Sequence, residues 1–564
     1  MDCLNDRLRK KELGAFFTPE PYARLAAQLV LKAVGRVPEG NDYIILDRCA
    51  GTGNLELALE GLVGPDGTNL LSHCVVSTYE YYEYKVLFAN LNGLVREIIP
   101  PTEANVVYES GLVANADAMS EEYVNNPVIK RYVDDPTCSM ILYENVPYQD
   151  STSITFTDGQ GRRASASRND SFVRTEFKSE ITRYGSAQAS ANDIANLFIW
   201  SAQRFYMRQP TDSYVVFSPV KYFKSMGLVR KRFLGGFLCN RAHFHASASA
   251  ISCALWTNED DTETREWSFP AYDILPDSEL SLNGVVTVRA CENSISKLQD
   301  ARTVSDGLAT NVILNRDGTQ KICTLDKGRA PVCSTSIIGY MEFSSFLIDG
   351  LNRTLVRCNW YKGLREAHGF HLRSDNYLTM LPGFCAKLFP EDQWYEKGIY
   401  YTTADGGDAY TRDPSFLKSC LIYTCLSNQN KCLSFHGSDG RDYQNELCLD
   451  DTDGRAPLAL RDLRAYAEDP ATAIDGDEEE LLGLWRKILE QARGCEGYDP
   501  KWSYGVYQIS RELDTRRNVG TKHRRVWVYD HPQLHSDLDT LRVRLKEYYK
   551  SHITPKMFQY QLLK

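Results

Sequence analysis

The chain has 564 residues, 43% of them hydrophobic and 24% charged, a balance that supplies cores to bury, excludes disorder and collagen-like repeats, and suggests about three domains. Its 74 acidic residues outnumber 64 basic ones by 10, so a surface for a polyanion has to be local. Sixteen cysteines are too sparse for a disulfide scaffold, and with no apolar leader and no run of about 18 apolar residues they predict a cytoplasmic chain with reduced, mostly buried thiols.

In chain order, residues 41–47 (NDYIILD) form a short apolar run ending in Asp47. The glycine turn CAGTGN follows, then LELALEGL with helical spacing, a strand–loop–helix unit. A second apolar run, CVVSTYE (74–80), ends in Glu80 with Glu83 close behind, and precedes a helix over 84–91. A third strand is expected within VVYESGLVANAD, ending at Asp117, and a fourth, SMILYE, ends at Asn145. Successive units of this kind predict an α/β fold with a mostly parallel sheet and ligand groups at the carboxyl ends of its strands. Residues 149–190 are polar and aperiodic and read as a long mobile loop carrying Arg162, Arg163 and Arg168. Helix is expected again over 191–204 and strand over 213–219.

From 201 to 245 eight basic residues, Arg204, Arg208, Lys221, Lys224, Arg230, Lys231, Arg232 and Arg241, face the single acid Asp212. A second basic knot comprises Arg516, Arg517, Lys522, Arg524 and Arg525. After about Arg302 the chain turns to short β-like runs rich in aromatics, Gly and Asp. Trp360, Tyr361, Trp394, Tyr395, Tyr400 and Tyr401 there suit either a base-reading module or a core. The acidic run 475–480 caps a helix that Gly494 stops, and a last helix is expected over 538–550. Cys420, Cys425, Cys432 and Cys448 include no CxxC pair, so no metal is expected.

The chemistry concentrates at the strand ends. Gly51 and Gly53 let backbone approach a ligand, and Asp47 closes its strand with an acceptor. The turn lacks the third glycine of a dinucleotide loop and the Lys-Ser/Thr of a phosphate loop, which disfavours nicotinamide and ATP. Glu80 stands where a doubly wound fold binds ribose hydroxyls, and Asp117 where an adenine amino group would need an acceptor.

The Asp47–Gly53 loop, the two strand-end acids, Asn145-Val146-Pro147-Tyr148 and the upstream Phe16-Phe17-Thr18-Pro19-Glu20 together resemble the S-adenosylmethionine-dependent adenine-N6 DNA methyltransferases. Val146 replaces the first proline of that family's Asn-Pro-Pro-Tyr, and Phe17 replaces the tyrosine of its Tyr-Thr-Pro. The motif order is similar to the gamma class, and the likeness covers about residues 14–255. The resemblance implies a Rossmann-like methyltransferase domain over 1–300, a mixed α+β target-recognition domain over 301–460 and a helical DNA-binding or interaction region over 461–564. It implies S-adenosylmethionine held by Phe17, Thr18, Pro19, Asp47, Ala50, Gly51, Gly53, Glu80 and Asp117. It implies catalysis by Asn145, Val146, Pro147 and Tyr148 on an adenine flipped from duplex DNA. Residues 213–234 are similar to the family's later strand and basic helix, so Lys221, Lys224, Arg230, Lys231 and Arg232 would then contact phosphates.

An exocyclic amine becomes nucleophilic when acceptors draw on both its hydrogens. In the family these are the Asn oxygen and the next residue's carbonyl, which Val146 can supply as well as a proline. Two other readings fit the motif: methylation of RNA or of a protein glutamine amide, and a non-catalytic DNA-recognition subunit. The chain carries no nuclease signature, and a separate restriction endonuclease partner would leave no mark in it. The expected location is the cytoplasm, in association with the nucleoid.

Overall fold

The computed structural model describes residues 18–564 except 101–107, 110–111, 114, 149–152, 158–162, 168–170, 184–190, 192, 225–227, 229, 245, 301–309, 312–314, 317–319, 322–331, 334–336, 344–352, 358–368, 387–392, 438–439, 452–453 and 521–524. The chain divides into two units, Met1–Glu292 with Pro390–Tyr400, and Asn293–Phe389 with Tyr401–Lys564.

In the first unit, strand β1 (Asp42–Asp47) is buried from Tyr43 onward. Such an unbroken apolar run suits a parallel strand covered on both faces. Helix α1 (Glu20–Val34) precedes it and packs on the sheet through Ala23, Ala26, Ala27, Val30, Ala33 and Val34. The small side chains let the helix sit close, and Pro21 falls in the first turn, where no intrahelical donor is lost. Short α2 (Asn54–Leu57), β2 (Cys74–Ser77), α3 (Tyr81–Leu91) and β3 (Glu97–Ile99) follow, then β4 (Cys138–Asn145), α4 (Phe172–Arg183), α5 (Ile194–Ser201) and β5 (Ser213–Pro219). Strands β6 (Lys231–Asn240), β7 (Ala250–Asp260), β8 (Glu266–Ile274) and β9 (Leu280–Arg289) complete one nine-stranded sheet.

Its order is β9-β8-β6-β7-β5-β4-β1-β2-β3. All pairings from β3 to β5 are parallel, as is β6 with β8, while β7 runs antiparallel to β5 and β6, and β9 to β8. The sheet is mostly parallel and Rossmann-like. The chain builds outward from β1 to β3 and then returns to lay β4 on the other side of β1. A doubly wound sheet opens its ligand crevice at such a reversal, beyond the carboxyl ends of the two strands.

Three expectations need correction. The third strand of the sheet is Glu97–Ile99, whereas Tyr108–Glu109 and Leu112–Val113 pair with each other as a separate antiparallel hairpin. The stretch expected as a structureless loop contains a second hairpin, Ser153–Thr157 with Arg163–Ser167, and then α4. Arg162 and Arg168 lie outside the described residues. Lys231 and Arg232, expected on a basic helix, open strand β6, and Arg230 lies just ahead of it.

The second unit carries a small antiparallel sheet, β11-β10-β12, made of β10 (Gly339–Phe343), β11 (Arg353–Val356) and β12 (Gly369–Leu372). Helices dominate the rest: α6 (Tyr377–Cys385), α7 (Pro414–Leu426), α8 (Leu458–Glu468) and α9 (Gly476–Arg493). Helix α7 is buried over its whole length from Phe416, and its low amphipathicity marks it as the centre of this core. Asp475 and Glu478 cap α9 reciprocally, as the acidic run implies. Trp394 and Ile399 join the core of the first unit, so part of the expected base-reading aromatic set serves packing there. Trp360 and Tyr361 lie outside the described residues. Of the twelve cysteines whose side chains are described, eleven are buried thiols and Cys49 is half-buried, and no described helix is long and apolar enough to cross a membrane.

Candidate active site

The turn after β1 is shaped by two glycines with left-handed backbone, Gly51 at φ 57° and Gly53 at φ 89°. A Cβ on Gly53 would come within 2.8 Å of Leu91 Cδ1, so α3 packs against the turn where only glycine fits. Ala50 N donates to the Ser77 carbonyl at 2.9 Å, which fastens the loop to the end of β2. Asp47 Oδ1 accepts from Cys49 N at 2.7 Å and shapes the same turn from below. Asp47 is buried rather than open to the crevice.

Glu80 caps the N-terminus of α3 at the carboxyl end of β2 and is half-buried. Asp117 is half-buried in a turn, where Oδ1 accepts from Met119 N at 3.0 Å and the carbonyl accepts from Ser120. Val113 N donates to the Tyr79 carbonyl at 2.8 Å, which keeps the segment before Asp117 beside the end of β2.

Strand β4 ends in Asn145. Its Nδ2 donates to Thr18 Oγ1 at 2.8 Å, and its Oδ1 accepts from the Tyr148 hydroxyl. Cys49 Sγ donates weakly to the Asn145 carbonyl at 3.5 Å. Thr18, the glycine turn and the Asn145–Tyr148 segment therefore meet at one place, the strand-order reversal. Val146 and Tyr148 are buried and Pro147 is half-buried. Burial pushes the Tyr148 hydroxyl well above its ordinary range, so it stays a donor. Pro19 is half-buried at the start of α1, and Phe17 lies outside the described residues.

Beneath these groups is an ion pair with both side chains fully enclosed. Arg48 Nε donates to Glu144 Oε1 at 2.5 Å and Nη2 to Oε2 at 2.8 Å. Nη1 donates to Ser201 Oγ at 2.7 Å, Nη2 also reaches the Phe198 carbonyl at 2.9 Å, and the guanidinium lies against the Phe198 and Tyr206 rings. The Tyr214 hydroxyl donates to Glu144 Oε2 at 2.7 Å. Burial works against the charge on Arg48, but the Glu144 carboxylate more than offsets it and keeps the guanidinium protonated. Arg48 follows Asp47 directly and Glu144 precedes Asn145, so this bidentate pair ties the glycine loop to the Asn145 strand end.

A second buried acidic feature lies alongside. The Asp47 and Glu56 carboxyls share a side-chain hydrogen bond when one of them holds a proton, and Asp47 Oδ2 and both Glu56 oxygens find no other partner among the described residues. Burial pushes Glu56 up to about 7, and burial with the nearby Glu56 and Glu144 charges lifts Asp47 well above the carboxylate range. The loop is thus underlain by carboxyls that retain protons near neutrality.

The expected phosphate contacts are arranged differently. Lys221 pairs with Asp193 at 2.6 Å, Lys231 with Asp260 at 2.8 Å and Arg232 with Glu259 at 2.8 Å. Arg230 is exposed just ahead of β6, and the Lys224 side chain lies outside the described residues. No cluster of metal-ligating side chains occurs among the described residues. Sequence reasoning passed over Arg48, Glu56 and Glu144. Their signal was a charge inside a run that otherwise reads as buried, which an interior tolerates only when it is paired or protonated.

No protein-family model matches the chain, and no curated protein does. Solved structures that match include a class I S-adenosylmethionine-dependent methyltransferase from Listeria monocytogenes, 13% identical over 46% of this chain and 65% of that one, with a TM-score of 0.24. The type IIG restriction endonuclease BpuSI is 13% identical over 46% of this chain and 27% of its own, with a TM-score of 0.28. The type IIL restriction-modification enzyme MmeI, solved in complex with DNA, is 11% identical over 97% of this chain and 74% of its own, with a TM-score of 0.26. The chain spans less than two thirds of the length of the first two.

Proposed function

We propose that this chain is a site-specific DNA methyltransferase that transfers a methyl group from S-adenosylmethionine to the N6 amino group of an adenine flipped out of duplex DNA. It would act alone or as the modification part of a restriction-modification system. One observation carries the reading: Asn145-Val146-Pro147-Tyr148 and the glycine turn share the crevice at the strand-order reversal, with Thr18 hydrogen-bonded to Asn145.

The crevice suits an adenosyl sulfonium. Two left-handed glycines leave the turn bare of side chains on its ligand side, Glu80 stands at the end of β2 for the ribose, and Asp117 lies next along for the adenine end. Phe17, Thr18, Pro19, Asp47, Ala50, Gly51 and Gly53 complete the proposed cofactor set, with Asp47 acting through the turn it shapes. When bound, S-adenosylmethionine supplies an electrophilic methyl group. The protein's task is then to present the amine. Asn145 Nδ2 is held by Thr18, which fixes the amide so that Oδ1 faces Tyr148. An amide oxygen has two lone pairs, so Oδ1 can keep the Tyr148 hydroxyl and still accept one amine hydrogen. The Val146 carbonyl takes the other, and the Tyr148 ring gives the extruded base a face to stack on. We assign target recognition to residues 301–460 and a DNA-binding or interaction role to 461–564. Arg230 and its basic neighbours Lys221, Lys224, Lys231 and Arg232 would line the phosphate path.

Incubation of the full chain with methyl-labelled S-adenosylmethionine and duplex DNA, followed by digestion to nucleosides, should place label in N6-methyladenine. Label in RNA or in a protein glutamine but not in duplex DNA would replace this reading with the first alternative. Duplex binding without transfer at saturating cofactor would replace it with a recognition subunit.

A further inference from the structure

Strand β13 (Arg516–Asn518) pairs antiparallel with β14 (Trp527–Tyr529), placing Arg516 opposite Tyr529, Arg517 opposite Val528 and Asn518 opposite Trp527. Helix α10 (Pro532–Tyr548) follows and anchors the base of this hairpin. Tyr529 stacks on His535 of that helix with ring centroids 3.4 Å apart, and Thr515 Oγ1 donates to Asp530 at 2.7 Å. Beyond that base the hairpin stands in solvent. All of β13 is exposed, and so are Val519, Val526, Trp527 and Val528, at 57%, 45%, 47% and 40%. These four are a third of the twelve exposed large apolar side chains among the described residues, gathered on β14 and on the residues that adjoin the two strands. A lone two-stranded hairpin is marginal in water, and such concentrated apolar exposure marks a surface that something covers.

The charges identify what fits. Among the described residues of 516–529, Arg516, Arg517 and Arg525 are basic and none is acidic, with Asp514 and Asp530 flanking the hairpin, in a chain whose net charge is −10. Arg516 lies over the Trp527 ring at 4.8 Å, and Arg517 is 3.4 Å from Asp530 in an exposed pair that binds weakly. Strand alternation sets Arg516, Asn518, Trp527 and Tyr529 on one face and Arg517, Val519, Val526 and Val528 on the other. Each face therefore carries an arginine beside apolar side chains. A nucleic-acid groove meets both faces, because it has a phosphate wall on each side and is wide enough, in the major groove, for a two-stranded ribbon.

We infer that this hairpin is a duplex-DNA contact separate from the crevice. Arg516 and Arg517 engage the phosphates of the two walls, with Trp527 beside Arg516 on one face and Val519 and Val526 beside Arg517 on the other. The inference rests on the reading of the chain as a DNA methyltransferase and names the surface within 461–564 that would carry the DNA contact assigned there. It is tested by measuring duplex binding of the full chain over a range of salt. Arg516→Ala with Arg517→Ala should weaken binding roughly tenfold or more on any sequence and lower the slope of log K against log salt by about 2, one for each phosphate that no longer meets an arginine. Trp527→Ala should weaken binding and leave the slope alone. All of these residues are exposed, so thermal melting should confirm that the variants stay folded. If the wild-type chain methylates DNA while these variants bind it with unchanged affinity and slope, the hairpin assignment fails and the methyltransferase reading stands. If the wild type binds no duplex, both fail. If Trp527→Ala instead changes the molar mass in light scattering with DNA binding intact, the surface joins copies of this chain and the inference is overturned.

Discussion

Two arginine–carboxylate pairs in the first unit look alike as contacts and differ in everything else. Arg48–Glu144 has both side chains fully buried, whereas Arg232–Glu259 leaves 57% of the arginine and 34% of the glutamate in water. The exposed pair competes with water and salt for each partner and contributes about 0–1 kcal/mol. The enclosed pair cannot fall back on solvent, so its geometry is completed by Ser201, Phe198 and Tyr214, and it becomes a joint between four segments of chain. Burial, more than the charges themselves, decides whether such a pair constrains a site.

The sharpest way to break this contrast is to remove one partner of each. Glu144→Ala strands a guanidinium in the core and should lower the unfolding free energy by about 3–5 kcal/mol in urea titration. The double variant Arg48→Met with Glu144→Leu should recover most of that loss, because no unpaired charge remains. If Glu144→Ala costs no more than an exposed pair does, the buried pair is not a joint.

Asn145→Ala asks whether the residue beside the joint serves chemistry instead. It gives up hydrogen bonds to Thr18 and Tyr148, worth about 1 kcal/mol each, well below the cost of Glu144→Ala. The proposed role is an acceptor needed as the amine attacks, so methyl transfer should fall about 10²-fold or more with DNA and cofactor affinity nearly intact. Wild-type transfer rates in this variant would end the catalytic assignment.

How much of the fold and site is readable in the sequence follows from how local each determinant is. Strands β1 and β4, the glycine turn and Asn145 announce themselves in a few consecutive residues, since a buried parallel strand is an apolar run with a polar residue at its end. Strand β3 is only Glu-Ile-Ile, and the more β-prone VVYESGLV further on draws the expectation away from it, although its strand residues pair with each other. The hairpin at Ser153–Thr157 has a signal, Asp158-Gly159 between two β-prone runs, which the polar composition masks. The charge balance of the stretch at 221–232 is hidden for a different reason. Its partners Glu259 and Asp260 come about 30 residues later on the neighbouring strand, where a charge sum over one window does not reach.

Glu56 tests the interior from the opposite side, as a buried carboxyl whose side-chain partner among the described residues is another acid, Asp47. Its folded pKa, about 7, lies above the unfolded value near 4.5, so between those values the folded state binds more protons than the unfolded one. Stability from this group is therefore full below about pH 4.5 and declines as pH rises through 7, by up to about 3 kcal/mol. Asp47, raised in the same direction, adds to the fall. Glu56→Gln should flatten that decline and make the protein more stable than wild type at pH 8, read from urea midpoints at several pH values. A Glu56→Gln variant with the wild-type pH profile would show that the carboxyl reaches water.

Arg232→Ala should give the smallest effect, and its salt dependence is the informative part. At low ionic strength the loss should be under about 1 kcal/mol, and at about 1 M salt it should vanish, because an exposed pair is screened over a few ångströms. Glu259 also accepts from Arg36 at 3.1 Å, and the two arginines hold its carboxyl below the ordinary glutamate range. Its contribution is thus present above pH 4.5 and lost as pH falls further. Glu259→Gln releases two arginines at once where Arg232→Ala removes only one. On DNA the two variants should diverge: if this face follows the phosphate path, Glu259→Gln should tighten duplex binding at low salt and Arg232→Ala should loosen it. If neither moves the affinity, the 221–232 stretch is a solvated, self-neutralised surface and the phosphate contacts of this protein lie elsewhere.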